Sequence, residues 1–266
     1  YCGRNRHQVK GRQPNENVPL VISYNSDGNR RQEYWQPAVL QADFLIVNNQ
    51  HAFDYFGRQE RTCCISNGVD TEVYRSKVDI GGRQHKAIFA GSTGERKQKG
   101  WPEVLRPLEK LAPEHGFETD FRPVDRIAAD VVMPTQRTAE WYSSASYVIC
   151  ASVSEGTPNI ITEAVACGCV AVTYPVGNVL EWGVDRENCV LVKERTAAAF
   201  LDGLKYAREH RERLSAAGME TVRTKWSYGA PGNRAAWYYR LFERILHDGA
   251  DTVKPFSFME TDFNAF

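Results

Sequence analysis

The sequence predicts an α/β fold built on parallel sheets, and three observations lead to that prediction. Residues 151–173 (ASVSEGTPNIITEAVACGCVAVT) hold a helix-start signal followed by a short run of strand formers. Residues 147–151 (YVICA), directly before them, form another such run. The order strand, loop, helix, strand recurs elsewhere in the chain, and it is the repeating element of parallel sheets.

The helix in this stretch is expected to span residues 158–167. The hydroxyl of Thr157 suits a helix cap, and Pro158 suits the first helical position, where its missing N–H is no loss. Gly168 is placed to supply the left-handed residue that ends the helix. Such a helix is about 15 Å long at 1.5 Å per residue. Glu155 then lies just past the carboxyl end of a strand, where parallel sheets bind ligands, and Glu163 lies inside the helix.

The other elements follow in chain order. Two strands at residues 18–23 and 44–47 enclose a helix at 32–41, and residues 65–74 (ISNGVDTEVY) are rich in turn formers. The pattern restarts at Lys86 with KAIFAGS, and an amphipathic helix follows at 102–111. About four strands are expected between 86 and 192, then one long helix over 196–223 and an aromatic helix over 235–246. Residues 249–266 show no usable period.

Composition narrows the class of protein. The length of 266 residues predicts about two domains, and 42% apolar with 25% charged residues is typical of a globular protein with a substantial core. The 33 basic and 33 acidic side chains cancel, which argues against nucleic acid as the partner. No apolar run reaches the length of a membrane span. The seven cysteines are interpreted as reduced core residues of a cytoplasmic protein.

These residues carry a resemblance to a known family. The run SEGTPNIITEAVACGCVAVTYPVG, the Lys99–Gly100 pair after an FAGS strand end, and ISNGVDTEVYR are similar to the retaining glycosyltransferases of family four. The resemblance runs from about residue 18 to about residue 246. It implies a GT-B fold, in which a Rossmann-like donor domain at residues 76–246 follows a partial Rossmann-like acceptor-side domain at 1–75. Residues 247–266 would be a C-terminal tail.

The resemblance also implies roles for individual residues. Glu155 would accept hydrogen bonds from the hydroxyls of the donor sugar, and Glu163 would bind the ribose. The diphosphate and sugar would lie at the backbone N–H groups of the helix start, where the helix dipole favours negative charge. That segment consists of Gly156, Thr157, Pro158, Asn159 and Ile160.

Positive charge at the leaving diphosphate is the main chemical requirement of such a reaction. Lys99 matches the lysine of the family. Where the family has a second cation, an arginine directly after a strand-ending glycine, this sequence has Ser92, and Arg96 or Lys97 is a candidate replacement. No metal is expected, and the only cofactor-like molecule is the sugar nucleotide that serves as donor substrate.

The N-terminal part departs from the family pattern. Asn25 stands where family members often carry a histidine near the reacting sugar, and asparagine cannot act as an acid or base. His51, beside a predicted helix start, is interpreted as a surface or capping residue. Family members have roughly a hundred residues before the strand at 18–23, so the sequence predicts a shortened relative or a fragment.

Three functions stay open at this stage. The first is a retaining glycosyltransferase that uses a nucleotide-diphosphate sugar. The second is a module that binds sugar nucleotides without turnover, and the third is a sugar-nucleotide epimerase on the same fold. Base selection is expected in residues 121–136, with Met133 packing on the base. The acceptor is a glycan, a lipid-linked molecule or a small molecule, and peripheral association with a membrane stays open.

Overall fold

The computed structural model describes residues 21–24, 42–56, 61–92, 97–124, 135–229, 234–258 and 261. The chain divides into two compact units. The first unit comprises residues 1–67, 155–157 and 232–266, and the second comprises residues 68–154 and 158–231. The sequence-based boundaries at residues 75 and 246 stay predictions beside this division. The helix predicted at residues 32–41 lies outside the described residues.

The second unit is built on a five-stranded, all-parallel sheet. In chain order its strands are β4 (Lys86–Ser92), β5 (Glu118–Val124), β6 (Tyr147–Cys150), β7 (Val170–Thr173) and β8 (Val190–Leu191), and they lie side by side in the order β5-β4-β6-β7-β8. Every residue of β6 and β7 is buried, as expected for central strands covered on both faces. The described sheet thus has one strand more than the four or so that were predicted.

The helices of this unit follow each strand in turn. They are α2 (Arg106–Leu111), α3 (Thr135–Ser143), α4 (Asn159–Ala166), α5 (Val179–Trp182), α6 (Ala197–Glu209) and α7 (Arg211–Thr221), with π-helical turns at Trp101–Leu105 and Val222–Trp226. The helix predicted at residues 102–111 therefore begins as a π-helical turn. The helix predicted over 196–223 is two helices, because the chain leaves helical geometry at His210 (φ −118°, ψ 20°).

One large core joins the sheet to α2 and α6. The side chains of Leu105, Leu108, Phe200 and Leu204 are fully buried against residues of β4, β6 and β7. Fully burying such a side chain stabilises a protein by about 1.5–3 kcal/mol. These contacts hold the strands in place, and the strands in turn determine where the loops at their carboxyl ends begin.

Helix α4 ends as its sequence predicts. Gly168 has φ +92°, its N–H donates to the carbonyl oxygen of Val165, and the N–H of Cys169 donates to that of Ala164. This pair of bonds is the Schellman motif, in which a left-handed glycine satisfies the last carbonyl groups of a helix. The motif returns the chain directly into the buried strand β7.

The first unit has a four-stranded parallel sheet. Its strands are β1 (Val21–Tyr24), β2 (Phe44–Val47), β3 (Thr62–Cys64) and β9 (Phe256–Ser257), in the order β1-β2-β3-β9. Helix α1 (Gln50–Tyr55) follows β2, and α8 (Arg234–Asp248) packs Trp237, Leu241 and Ile245 into the core of this unit. The C-terminal residues, in which no period was visible, contain a 3₁₀ turn (Ala250–Thr252) and strand β9.

Two smaller predictions are also settled by the described residues. Six cysteines are buried thiols, as expected for core residues: Cys63, Cys64, Cys150, Cys167, Cys169 and Cys189. His51 lies at the surface, and Asn49 rather than His51 caps α1, accepting from the N–H of Ala52. Of the helices in the described ranges, none combines the length and apolar character needed to cross a membrane.

Candidate functional site at the switch point of the second sheet

The strand order of the second unit marks one place as the binding crevice. Numbered within this sheet alone, the strands lie in the order 2-1-3-4-5, so the direction of chain progression reverses between β4 and β6. Parallel sheets of this kind bind ligands outside the carboxyl ends of the two strands at such a reversal. Those ends are Ser92 of β4 and Cys150 of β6. The loops that follow these two residues are therefore the candidate site.

Backbone contacts hold the two loops together. The N–H of Val153 donates to the carbonyl oxygen of Gln98 over 2.8 Å, and the side-chain amide of Gln98 donates to the carbonyl oxygen of Ser154 over 3.3 Å. Gly100 has φ +74°, and a Cβ at this position would lie 2.4 Å from the carbonyl oxygen of Ala151. Glycine therefore permits the approach. The result is that Lys99 is held beside the end of β6.

The start of α4 differs from the prediction in one respect. The helix begins at Asn159 with Pro158 as the N-cap, and no side chain caps it. Thr157, the predicted cap, instead donates its hydroxyl to the carbonyl oxygen of Asn48 over 3.0 Å, and both residues belong to the first compact unit. The predicted cap is thus wrong, because this hydroxyl is satisfied by a backbone oxygen distant in sequence. The helix start has no side-chain capping hydrogen bond, and its dipole still favours negative charge there.

Glu163 occupies an unusual environment on α4. Its carboxyl group is largely withdrawn from solvent, and the hydroxyl of Tyr142, on α3, donates to its Oε2 over 3.0 Å. Burial raises the pKa of Glu163 to about 7, and the Tyr142 hydrogen bond acts in the opposite direction. A carboxyl group with so strongly raised a pKa, on the helix that follows a switch-point strand, is a candidate for ligand contact.

Aromatic side chains pack against Tyr142, whose hydroxyl contacts this carboxyl group. The ring of Tyr142 lies 5.9 Å from that of Tyr74 and 5.4 Å from that of Trp141, measured between centroids. Burial, and then the charge of Glu163, raises the pKa of Tyr74 to about 12. Sequence reasoning missed Tyr142 and Tyr74, because no local pattern indicates a hydrogen bond between two helices separated by a strand.

A family of known proteins resembles the part of the chain that contains this region. Residues 84–209, a little under half of the chain, match the family model described as glycosyl transferases group 1. This segment is similar to the glycosyltransferase group 1 domains that the model describes. The match contains β4 to β8, both loops of the candidate site, and Glu163. No curated protein sequence matches the chain.

Solved structures of glycosyltransferases share the fold. Sucrose-phosphate synthase from Thermosynechococcus elongatus is 17% identical, with 91% of this chain and 70% of that chain covered and a TM-score of 0.67. A TarM variant from S. aureus, solved with fondaparinux, alpha-GlcNAc-glycerol and UDP, is 11% identical, with 91% and 52% covered and a TM-score of 0.69. HepE from Anabaena, solved with UDP and glucose, is 14% identical, with 86% and 72% covered and a TM-score of 0.62.

At these identities the agreement concerns the fold. It confirms the predicted GT-B class of α/β fold, with a Rossmann-like parallel sheet. The chain spans just over half the length of the TarM chain and about 70% of the other two.

The residues predicted from the glycosyltransferase motifs fall into three groups. Those of the second unit are Ser92, Lys99, Pro158, Asn159, Ile160 and Glu163, and those grouped with the first unit are Glu155, Gly156 and Thr157. Arg96, Met133 and Asn25 lie outside the described residues. Within the described ranges, no three His, Cys, Asp or Glu side chains are clustered so that they could hold a metal ion.

Proposed function

We propose that this chain carries the donor-binding part of a retaining glycosyltransferase, which transfers a sugar from a nucleotide-diphosphate sugar to an acceptor hydroxyl. One observation carries the proposal. The loops after β4 and β6 are hydrogen-bonded to each other at the switch point of the sheet, where Lys99 directly follows Gln98 and the loop after β6 leads into α4. Both loops lie within the segment that matches the glycosyltransferase family.

The ligand contacts follow from the chemistry of each group. Glu163 accepts hydrogen bonds from the two vicinal ribose hydroxyls, because a carboxylate is a strong acceptor with two oxygens and no donor. The start of α4 faces the diphosphate, where the helix dipole favours negative charge. Glu155, which directly follows Ser154 in sequence, accepts hydrogen bonds from hydroxyls of the donor sugar.

Retention of configuration requires the acceptor to attack the sugar on the same face from which the leaving group departs. The bond between the anomeric carbon and the diphosphate oxygen breaks, and the electron pair leaves with the diphosphate. The bond from the acceptor oxygen forms on the same face, and the acceptor proton passes to the departing phosphate. Lys99 stabilises the charge that develops on this phosphate, and Arg96 is the candidate for a second cation.

The comparisons support the donor class and not its details. The structures of TarM and HepE were solved with UDP, which makes UDP the first probe for this chain. We keep the acceptor general, as a glycan, a lipid-linked molecule or a small molecule. The six buried thiols suit a reducing compartment and support a cytoplasmic location.

Calorimetric titration with UDP, GDP, ADP and TDP tests the proposal, followed by product detection with sugar nucleotides of the base that binds. We expect one of the four nucleotides to bind most tightly. A sugar nucleotide with the same base should then transfer its sugar to an acceptor or release it to water. Tight binding of a nucleoside diphosphate without any turnover would favour a sugar-nucleotide-binding module. If the protein bound none of the four nucleotides, the proposal would be overturned.

A further inference from the structure

The hydroxyl of Tyr142 is the group that reaches Glu163 from the neighbouring helix. Tyr142 is 3% exposed, so its position on α3 is set by packing, and its O–H donates to Oε2 of Glu163 over 3.0 Å. Trp141 and Tyr74 contact the same ring. The hydrogen bond therefore joins a rigid aromatic cluster to one oxygen of the carboxyl group.

We propose that Tyr142 is a positioning residue of the donor site, whose hydroxyl orients the Glu163 carboxylate and sets the pH range in which the ribose is bound. This inference rests on the proposed function, because it takes Glu163 as the acceptor for the ribose hydroxyls. It adds a residue on another helix, outside the glutamate motif, and a measurable pH dependence.

The charge of Glu163 determines how it can bind the ribose. Only the ionised carboxylate accepts from both ribose hydroxyls, whereas the protonated form offers its own O–H in competition. Burial favours the protonated form, and the Tyr142 hydrogen bond favours the ionised form. Because the pKa of Glu163 is about 7, a modest change in either contribution alters the ionised fraction at neutral pH.

Two tyrosines and one cysteine near Glu163 stay neutral in this pH range. Tyr74 approaches from the segment before β4, Tyr228 from the segment after the second π-helical turn, and Cys167 from the end of α4 itself. Burial raises the pKa of all three, to about 12 for Tyr74 and about 11 for Cys167, so they stay neutral. Asp70 adds a negative charge beside Tyr74 and Tyr228, and Arg83 a positive charge beside Cys167.

The test compares UDP with 2′-deoxy-UDP from pH 6 to pH 8.5 by calorimetry, with the base exchanged if another nucleotide binds better. The terminal phosphate of both ligands titrates near pH 6, as a phosphate monoester does, and this contribution cancels in the ratio of the two affinities. In the wild-type protein we expect the preference for the ribonucleotide to be about tenfold at pH 8.5 and to fall towards unity at pH 6. The midpoint should lie near pH 7.

Tyr142→Phe keeps the ring and removes only the donor. We expect its midpoint to shift upwards by about one pH unit, so that the preference is weakened at pH 7 and largely restored at pH 8.5. Tyr74→Phe is the matched control, because it removes a hydroxyl from the same cluster while the bond from Tyr142 to Glu163 stays; its midpoint should not move. Glu163→Gln should abolish the pH dependence of the ratio.

The outcomes separate the two proposals. If the wild-type protein binds none of the four nucleoside diphosphates, the proposed function fails. If it binds UDP but its preference for the ribonucleotide is constant from pH 6 to 8.5, the inference alone is overturned, and this measurement needs no variant. An unshifted midpoint in folded Tyr142→Phe would also overturn it, since a purely packing role changes stability without moving the midpoint.

Discussion

The N–H of Val153 donates to the carbonyl oxygen of Gln98, and this bond fastens the loop after β6 to the loop after β4. The two residues are far apart in sequence, but each lies a few positions past a strand at the switch point of the sheet. The candidate cation Lys99 follows Gln98, and the candidate sugar-binding Glu155 comes two positions after Val153.

Glu163→Ala should weaken nucleotide binding at least tenfold. The change leaves two ribose hydroxyls without their charged acceptor, and hydrogen bonds to charged groups contribute about 1.5–3 kcal/mol each. Calorimetric titration at pH 8, where Glu163 is ionised, measures the loss. Glu109→Ala, which removes an exposed glutamate from α2, is the control and should bind normally. Unchanged affinity in a folded Glu163→Ala protein would reject the ribose assignment.

Glu155→Gln should reduce turnover of the sugar nucleotide much more than binding of the bare nucleoside diphosphate. The residue is assigned only to hydroxyls of the sugar, and an amide is a weaker acceptor than a carboxylate. Initial rates with the sugar nucleotide measure the loss of turnover, and calorimetry with the nucleoside diphosphate measures the loss of affinity. Equal losses for both ligands would place Glu155 elsewhere in the site.

Lys99→Ala should lower turnover by about a hundredfold to a thousandfold, and by more than it weakens binding of the diphosphate. The positive charge of Lys99 stabilises the transition state, in which negative charge develops, more than the bound donor. In other enzymes, the loss of one such stabilising group lowers the rate by about this factor. Lys110→Ala, on the exposed face of α2, is the matched control. Near-normal turnover in Lys99→Ala together with loss of activity in Arg96→Ala would assign the phosphate to Arg96.

Gly100→Ala should destabilise the protein more than Gly116→Ala. Both glycines have nearly the same φ, +74° and +76°, so alanine meets a similar backbone penalty of about 1–2 kcal/mol at each. At Gly100 the new Cβ would also lie 2.4 Å from the carbonyl oxygen of Ala151, whereas at Gly116 the nearest atom is 3.8 Å away. Urea unfolding of the two variants measures the difference. Equal losses would show that the loop after β4 moves away from β6 easily.

Glu163→Gln should stabilise the unliganded protein at pH 8 and have little effect near pH 4.5. Because burial raises the pKa of Glu163 from 4.5 to about 7, the folded state holds this proton more tightly than the unfolded chain. The free energy of unfolding therefore falls as pH rises between these values, by up to about 3 kcal/mol at about 1.4 kcal/mol per unit. Urea unfolding at both pH values tests this. Destabilisation at both would show that the ionised carboxylate is well accommodated.

The sequence predicted those parts of the fold whose signal is local. Strands β2, β4, β6 and β7 are apolar runs bounded by turn formers, and Gly168 ends α4 by the conformation that its sequence indicates. The missed features depend on distant contacts. Thr157 was expected to cap α4, but its hydroxyl donates to the carbonyl oxygen of Asn48.

The candidate site was predictable to the same extent. Both glutamates and Lys99 belong to short motifs that can be read along the chain. Tyr142 contacts Glu163 only because α3 and α4 pack side by side, and no spacing in the sequence encodes that contact. Strand β9 is equally hidden, since two residues are too few for an alternating pattern to be visible.

Strand β9 has a consequence for how the protein folds during its synthesis. It forms one edge of the first sheet and pairs Phe256 with Cys63, although almost two hundred residues separate them in the chain. While a ribosome is still adding residues, β3 presents an unpaired edge, which is the kind of surface on which strands of separate nascent chains associate. All of the second sheet, whose last strand ends at Leu191, is translated before Phe256. Synthesis from a truncated message should therefore give a chain whose second unit folds while the first is prone to aggregate.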